Sequence, residues 1–205
     1  MKKVLSVLLA LCLLFGAVPL SASAAGEDFV IDEKGVLTKY KGSGGDVEIP
    51  RGVTRVTQYA FYDVYDKLTS VTFPDTVTSI ENYPFERSYQ LTRFVVDPNN
   101  PVYTSVDGVL FTKNMDEIVL YPSGKAGDEF TIPSTVKRIG NYAFFDSSLK
   151  KINLPNGLTS IGEYGLGGCP NLTAIDMPNS VVEIGDYVMF SRAAPACGRF
   201  GSRKP

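Results

Sequence analysis

Leu149-Lys-Lys-Ile-Asn-Leu-Pro155-Asn-Gly-Leu158-Thr-Ser-Ile161-Gly-Glu-Tyr164-Gly-Leu166 is the stretch whose reading decides the fold. It holds two short apolar runs on either side of a proline. The run before it, L-x-x-I-x-L, and the run after it, L-x-x-I, both suit short β-strands. Proline cannot donate to a sheet ladder, so it ends the first strand and turns the chain.

The same pattern recurs around Pro50, Pro74, Pro133, Pro155 and Pro178. Three residues before each proline stand Val47, Val71, Phe130, Ile152 and Ile175, and one before stand Ile49, Phe73, Ile132, Leu154 and Met177. Three after come Val53, Val77, Val136, Leu158 and Val181, and six after come Val56, Ile80, Ile139, Ile161 and Ile184. Eleven after come Phe61, Phe85, Phe144, Leu166 and Met189. All 25 of these positions are apolar in a chain that is 44% apolar, so the recurrence marks a structural repeat. The prolines are 24, 59, 22 and 23 residues apart, and the long gap holds one more coil, begun by Leu91, and an insertion.

A unit of this length cannot close a core of its own. Its apolar residues need neighbours above and below, which makes the fold a solenoid. Stacked coils would pair their strands in parallel, about 4.8 Å apart. Each coil commits six or seven apolar side chains, worth roughly 1.5–3 kcal/mol each when fully buried. That burial must offset the ordering of the whole coil, so several coils are needed together.

Two segments depart from the repeat. Residues 29–49 contain Lys34-Gly35-Val36-Leu37 and Gly42-Ser-Gly-Gly45; residues 98–132 contain Asp107-Gly108-Val109-Leu110 and the glycines 124 and 127. Both read as strand–turn–strand and both run into a proline column. The first predicts a hairpin cap, the second a β-hairpin insertion that starts a second block. The expected organisation is one solenoid over 26–190, with blocks at 50–97 and 133–190.

The repeat resembles the bacterial BspA-like leucine-rich-repeat family. The residues that carry the resemblance are Leu149 to Gly162, Leu172-Thr-Ala-Ile-Asp-Met-Pro178 with Ile184-Gly-Asp-Tyr187, and the interruption Asp97-Pro-Asn-Asn-Pro101-Val-Tyr103 followed by Ser105 to Phe111. The resemblance implies a right-handed repeat solenoid, formally of the α/β class, built mostly of short parallel strands with little helix. It also implies export and roles in adhesion or protein binding, and no catalytic residues. In that family Cys often fills the turn before the next Leu, which fits Cys169. A buried core thiol and a disulfide to Cys197 are the two readings of that residue.

Residues 1–25 read as a secretory signal peptide. Lys2 and Lys3 precede an apolar run from Val4 to Leu20, and Ala22-Ser-Ala24 supplies small residues for cleavage before Ala25 or Gly26. The expected location is therefore secreted or cell-surface, with no membrane contact after cleavage. Residues 25–190 hold 14 Lys and Arg against 22 Asp and Glu, a net of −8, which disfavours nucleic acid as a partner. Residues 191–205 fit no column and read as a disordered tail, so self-association through an uncapped last coil is expected.

The chain has no His and no Trp. Triads, Cys/His pairs and His-based zinc sites are excluded. Asp97-Pro-Asn99 opens like a calcium loop, but Pro101 and Gly108 stand where oxygen ligands are required, so a turn is the expectation. No enzyme, metal or cofactor is expected. One column remains: Tyr59, Tyr83, Tyr142, Tyr164 and Tyr187 lie nine residues after each proline. Stacking would make them an aromatic ladder, read either as ring-on-ring packing that stiffens the solenoid or as a binding stripe for a protein or glycan. Strand alternation beside Ala60 and Ala143 predicts that these tyrosines point outward. The functional alternative to a binding or adhesion module is a structural spacer in a larger surface assembly.

Overall fold

The computed structural model describes residues 25–190. The expected signal peptide, apart from Ala25, and the expected tail at 191–205 lie outside the described residues. Within them, helix is confined to Ala25–Asp28 and a single 3-10 turn at Tyr62–Val64. Everything else that is regular is strand, laid down as a β-solenoid of stacked coils.

The first block opens with the antiparallel pair β1 (Phe29–Ile31) and β2 (Val36–Tyr40). Its coils then contribute β3 (Gly45–Glu48), β4 (Arg55–Val56), β5 (Leu68–Phe73), β6 (Ser79–Ile80) and β7 (Arg93–Val96). The strands before the prolines form one parallel sheet, β3-β5-β7; those after them continue the hairpin as β1-β2-β4-β6. Register follows the apolar columns: Val47 pairs with Val71 and Val71 with Phe94, while Leu37 pairs with Val56 and Val56 with Ile80. A one-residue slip would turn every one of these side chains out of the core, which is why the columns hold.

The insertion is a meander of β8 (Tyr103–Val106), β9 (Val109–Thr112) and β10 (Glu117–Leu120). Its last strand starts the second block's ladder, joined by β12 (Arg138–Ile139), β14 (Ser160–Ile161) and β15 (Glu183–Ile184). On the other side β11 (Glu129–Thr131) pairs with β13 (Lys151–Asn153). The two hairpins start their blocks in the same way. The amide of Tyr40 donates to the Ala60 carbonyl and that of Tyr121 to the Ala143 carbonyl, both at 2.7 Å. The expected cap and insertion are therefore versions of one device.

The meander also divides the core. Val109, Phe111 and Ile118 belong to the second block's core, while Leu110 and Leu120 belong to the first. Alternating side chains of a strand point to opposite faces, and here both faces are covered. That explains the unbroken run Val109-Leu110-Phe111, fully buried along the strand.

Asn100 fastens this wall to the coil below. It is fully buried, and its side-chain amide donates to the carbonyls of Pro74 and Val77, both at 2.8 Å. Its side-chain oxygen accepts from the amides of Val102 and Tyr103 at 2.9 and 2.8 Å. Beside it, Asp97 accepts from the Asn99 amide and pairs with Arg51, which also grips Asp75. The segment that opens like a calcium loop is thus a turn with its carboxylate already engaged.

In one place the strand pattern is not realised. Leu172 and Ile175 are buried in their columns, yet no strand forms over 172–177, and a gap of about 360 Å³ separates Thr173–Asp176 from Lys150–Leu154. Side-chain packing holds that column while backbone pairing stops at β13. The last described coil leaves Val182, Ile184, Tyr187 and Phe190 exposed.

Cys169 is a buried thiol, its Sγ 3.1 Å from the Phe144 carbonyl and 3.4 Å from the Ser147 hydroxyl. This is the core reading of that residue; Cys197 lies outside the described residues. Burial pushes the thiol pKa up to about 11. The thiolate is the reactive form, so Cys169 should resist alkylation at neutral pH until the fold opens. Thiol-reactive dye uptake at Cys169, followed by peptide mapping with and without denaturant, checks this; rapid native labelling would contradict it.

Candidate binding face

Each coil turns sharply after its second strand, and the tyrosine column sits in that turn. Tyr59, Tyr83, Tyr142, Tyr164 and Tyr187 all have positive φ, between 51° and 62°. The left-handed conformation disfavours residues with a Cβ, and five tyrosines hold it in succession. An exposed, continuous column is only partly what forms: Tyr59 and Tyr187 are exposed, Tyr83, Tyr142 and Tyr164 are half-buried, and the residues stand in a turn rather than on a strand. The strands end at Val56, Ile80, Ile139, Ile161 and Ile184, and the left-handed residue then reverses the chain. The turn also bonds coil to coil. The Tyr142 amide donates to the Glu163 carbonyl at 2.9 Å and the Tyr164 amide to the Asp186 carbonyl at 3.0 Å. Glycine after each isoleucine in the second block permits the approach: a Cβ on Gly162 would lie 2.3 Å from the Asn141 side-chain oxygen.

Four of the five rings form a continuous stack. Centroids are 5.1 Å apart for Tyr83–Tyr142 and 5.0 Å for both Tyr142–Tyr164 and Tyr164–Tyr187, with interplanar angles of 17–25°. The stack runs straight across the insertion, joining residues 59 apart in sequence. Phe145 packs edge-on against Tyr83 and Tyr164. The Tyr83 hydroxyl donates to the buried Asp146 at 3.0 Å, a further tie between the blocks. Tyr83, Tyr142 and Tyr164 are half-buried, and burial raises the Tyr142 phenol pKa.

Stacking of this kind covers ring faces, which are the surfaces a stacking ligand needs. Tyr142, held between two stacked neighbours, has both ring faces engaged. Tyr142→Ala should cost about 2 kcal/mol, from two stacked pairs and one tilted contact with Phe145 at roughly 0.5–1.5 kcal/mol each. Tyr59→Ala should leave the melting temperature nearly unchanged. Parallel thermal melts of the two variants check this, and equal losses would contradict it.

At the other end of the column the faces are open. Tyr59 is 48% exposed and meets Tyr62, 46% exposed, edge-to-face at 6.1 Å and 79°. Tyr62 continues to Tyr65 at 6.0 Å. The two rings wall an open cleft of about 480 Å³, completed by Thr38, Lys39, Asp63 and Glu86. Lys39 and Asp63 form an ion pair of 2.6 Å across it. Tyr62 comes from the 3-10 turn at Tyr62–Val64, and Thr38 and Lys39 from β2, so cap and first coil build the corner together. Tyr62 belongs to no repeating column: its position holds Glu86, Phe145, Gly167 and Phe190 in the other coils.

Ion pairs engage the charged groups at two other surface features. Lys150 and Lys151 pair with Asp128 and Glu129. A cleft of about 240 Å³ lies where β6 and β10 leave each other unpaired, and Glu117 there faces Arg138 at 3.4 Å. Burial raises the Glu117 pKa, and the Arg138 charge opposes that rise. Among the described residues, no group of three His, Cys, Asp or Glu side chains is placed to hold a metal ion.

The model for the BspA type leucine-rich repeat region matches residues 39–126 and 123–194, with six copies of the repeat. The chain belongs to that family. This BspA-type chain is also similar to solved bacterial structures. A leucine-rich repeat protein from Eubacterium ventriosum is 34% identical, with a TM-score of 0.64 over 69% of this chain and 38% of that one. The pneumococcal vaccine antigen PcpA is 24% identical, with a TM-score of 0.57 over 71% of this chain and 48% of its own. The chain thus spans less than half the length of these two structural relatives. No curated protein sequence gives a significant match. Among the described residues no helix is long and apolar enough to cross a membrane.

Proposed function

We propose that this BspA-type solenoid is a secreted or surface-exposed binding module that recognises a protein or glycan with its tyrosine-bearing edge. The observation that carries the reading is the open Tyr59–Tyr62 corner. Two large aromatic faces stand in solvent beside charged side chains, where a soluble coil would otherwise bury or stack them. Tyrosine gives broad contact area at low conformational cost, and the solenoid behind it is rigid. Export is supported by the leader pattern at residues 1–25.

The experiment is an array of extracellular-matrix proteins and glycans probed with the full chain after export. Retention of one ligand class, lost on Tyr59→Ala with Tyr62→Ala, supports the reading. An array that retains nothing favours the spacer reading, in which the stacked column only stiffens the rod.

A further inference from the structure

The Tyr59–Tyr62 corner carries a charge pattern that narrows what it takes. Its lining holds Lys39, Asp63 and Glu86, a net of −1. Lys39 is committed to Asp63, and among the described residues Glu86 makes no ion pair. The surrounding body, residues 25–190, carries a net charge of −8. The faces of tyrosine rings attract cations, and the attraction grows when a carboxylate stands nearby and the surrounding field is negative. Two rings at 79° offer a cation one face and one edge-on wall. A flat guanidinium stacks on such a face and can reach a carboxylate with its fork of donors.

Resting on the binding-module reading, we propose that this corner is a subsite for an arginine side chain of a basic segment in a partner protein. The guanidinium stacks on Tyr59 or Tyr62 and hydrogen-bonds to Glu86. The Lys39–Asp63 pair walls the cleft and keeps Asp63 from competing for the cation. At the opposite end Tyr187 also meets a ring edge-to-face, Phe190 at 6.5 Å and 88°, but the tyrosine there is not open on both faces. Tyr187 is 62% exposed, but one of its faces is covered by Tyr164.

The test titrates the full chain with a peptide of alternating arginine and glycine, and with the same peptide carrying citrulline, the neutral isostere. Calorimetry at low salt gives the affinities. The arginine peptide should bind at least about fivefold more tightly than the citrulline peptide. Tyr62→Ala should weaken it about fivefold, the scale of one cation–ring contact. Tyr62→Phe should retain it, because the ring face remains. Glu86→Gln should weaken it about threefold and flatten its salt dependence, and Tyr187→Ala should leave it unchanged. Equal affinity for both peptides, or no effect of Tyr62→Ala, overturns the proposal. So does Tyr62-dependent binding of a cello-oligosaccharide in place of the arginine peptide, although the binding-module reading survives that result. An array ligand indifferent to Tyr62 also overturns the subsite while leaving the module standing elsewhere on the solenoid.

Discussion

Asn100→Ala should destabilise the protein by about 3–5 kcal/mol, one of the two largest losses expected of any single substitution away from the leucine columns. The wild-type side chain satisfies two carbonyls and two amides in a site closed to water. Each hydrogen bond contributes roughly 0.5–1.5 kcal/mol net, and its removal leaves a buried polar group unsatisfied. Asn100→Asp should fare no better, because it loses both donors and places a charge against two carbonyls. Asn99→Ala, one residue away and exposed, should be nearly neutral. Urea unfolding of the three variants measures this. At roughly 2–4 °C per kcal/mol for a domain of this size, the Asn100 variants should melt about 10 °C early. A loss below about 1 kcal/mol for Asn100→Ala would show that the wall is held by its apolar faces alone.

Phe111→Ala should cost a comparable 3–5 kcal/mol, the range for deleting a fully buried ring. Its neighbour Leu110→Ala should cost about 2–5 kcal/mol. The informative quantity is where the damage appears. Phe111 packs into the second block's core and Leu110 into the first. In a solenoid each layer contacts only its neighbours, so instability spreads outward from the lesion. Hydrogen exchange should therefore accelerate in β12, β14 and β15 for Phe111→Ala, and in β4 and β6 for Leu110→Ala. Uniform acceleration in both variants would contradict a wall with two independent faces.

The coils were legible in the sequence because core packing imposes a period. Leu, Ile and Phe at fixed distances from Pro74 or Pro155 leave little freedom, and the observed register follows those columns. The two hairpins were legible from their glycine turns. The partition was not, since Val109-Leu110-Phe111 states only that a strand is buried on both sides, without naming the two cores. The turn conformation of the tyrosines was also hidden. Tyr with positive φ has no sequence signature, and strand alternation does not apply in the turn, where only Tyr59 and Tyr187 are exposed and the three between them are half-buried. The strand expected at Leu172–Met177 failed because apolar spacing fixes burial but not backbone pairing. The corner was half legible: Tyr59 belongs to the column, whereas Tyr62, Lys39 and Glu86 meet it only through the fold.

The central claim is that contact with a ligand falls on the open corner while the stacked tyrosines serve as scaffold. Hydrogen-exchange footprinting of the full chain, alone and saturated with the ligand retained on the array, tests it most directly. The account predicts protection confined to the segments around Thr38–Lys39, Tyr59–Asp63 and Glu86. Protection centred on β11 and β13, or along the stack from Tyr142 to Tyr187 with the corner unchanged, would contradict it.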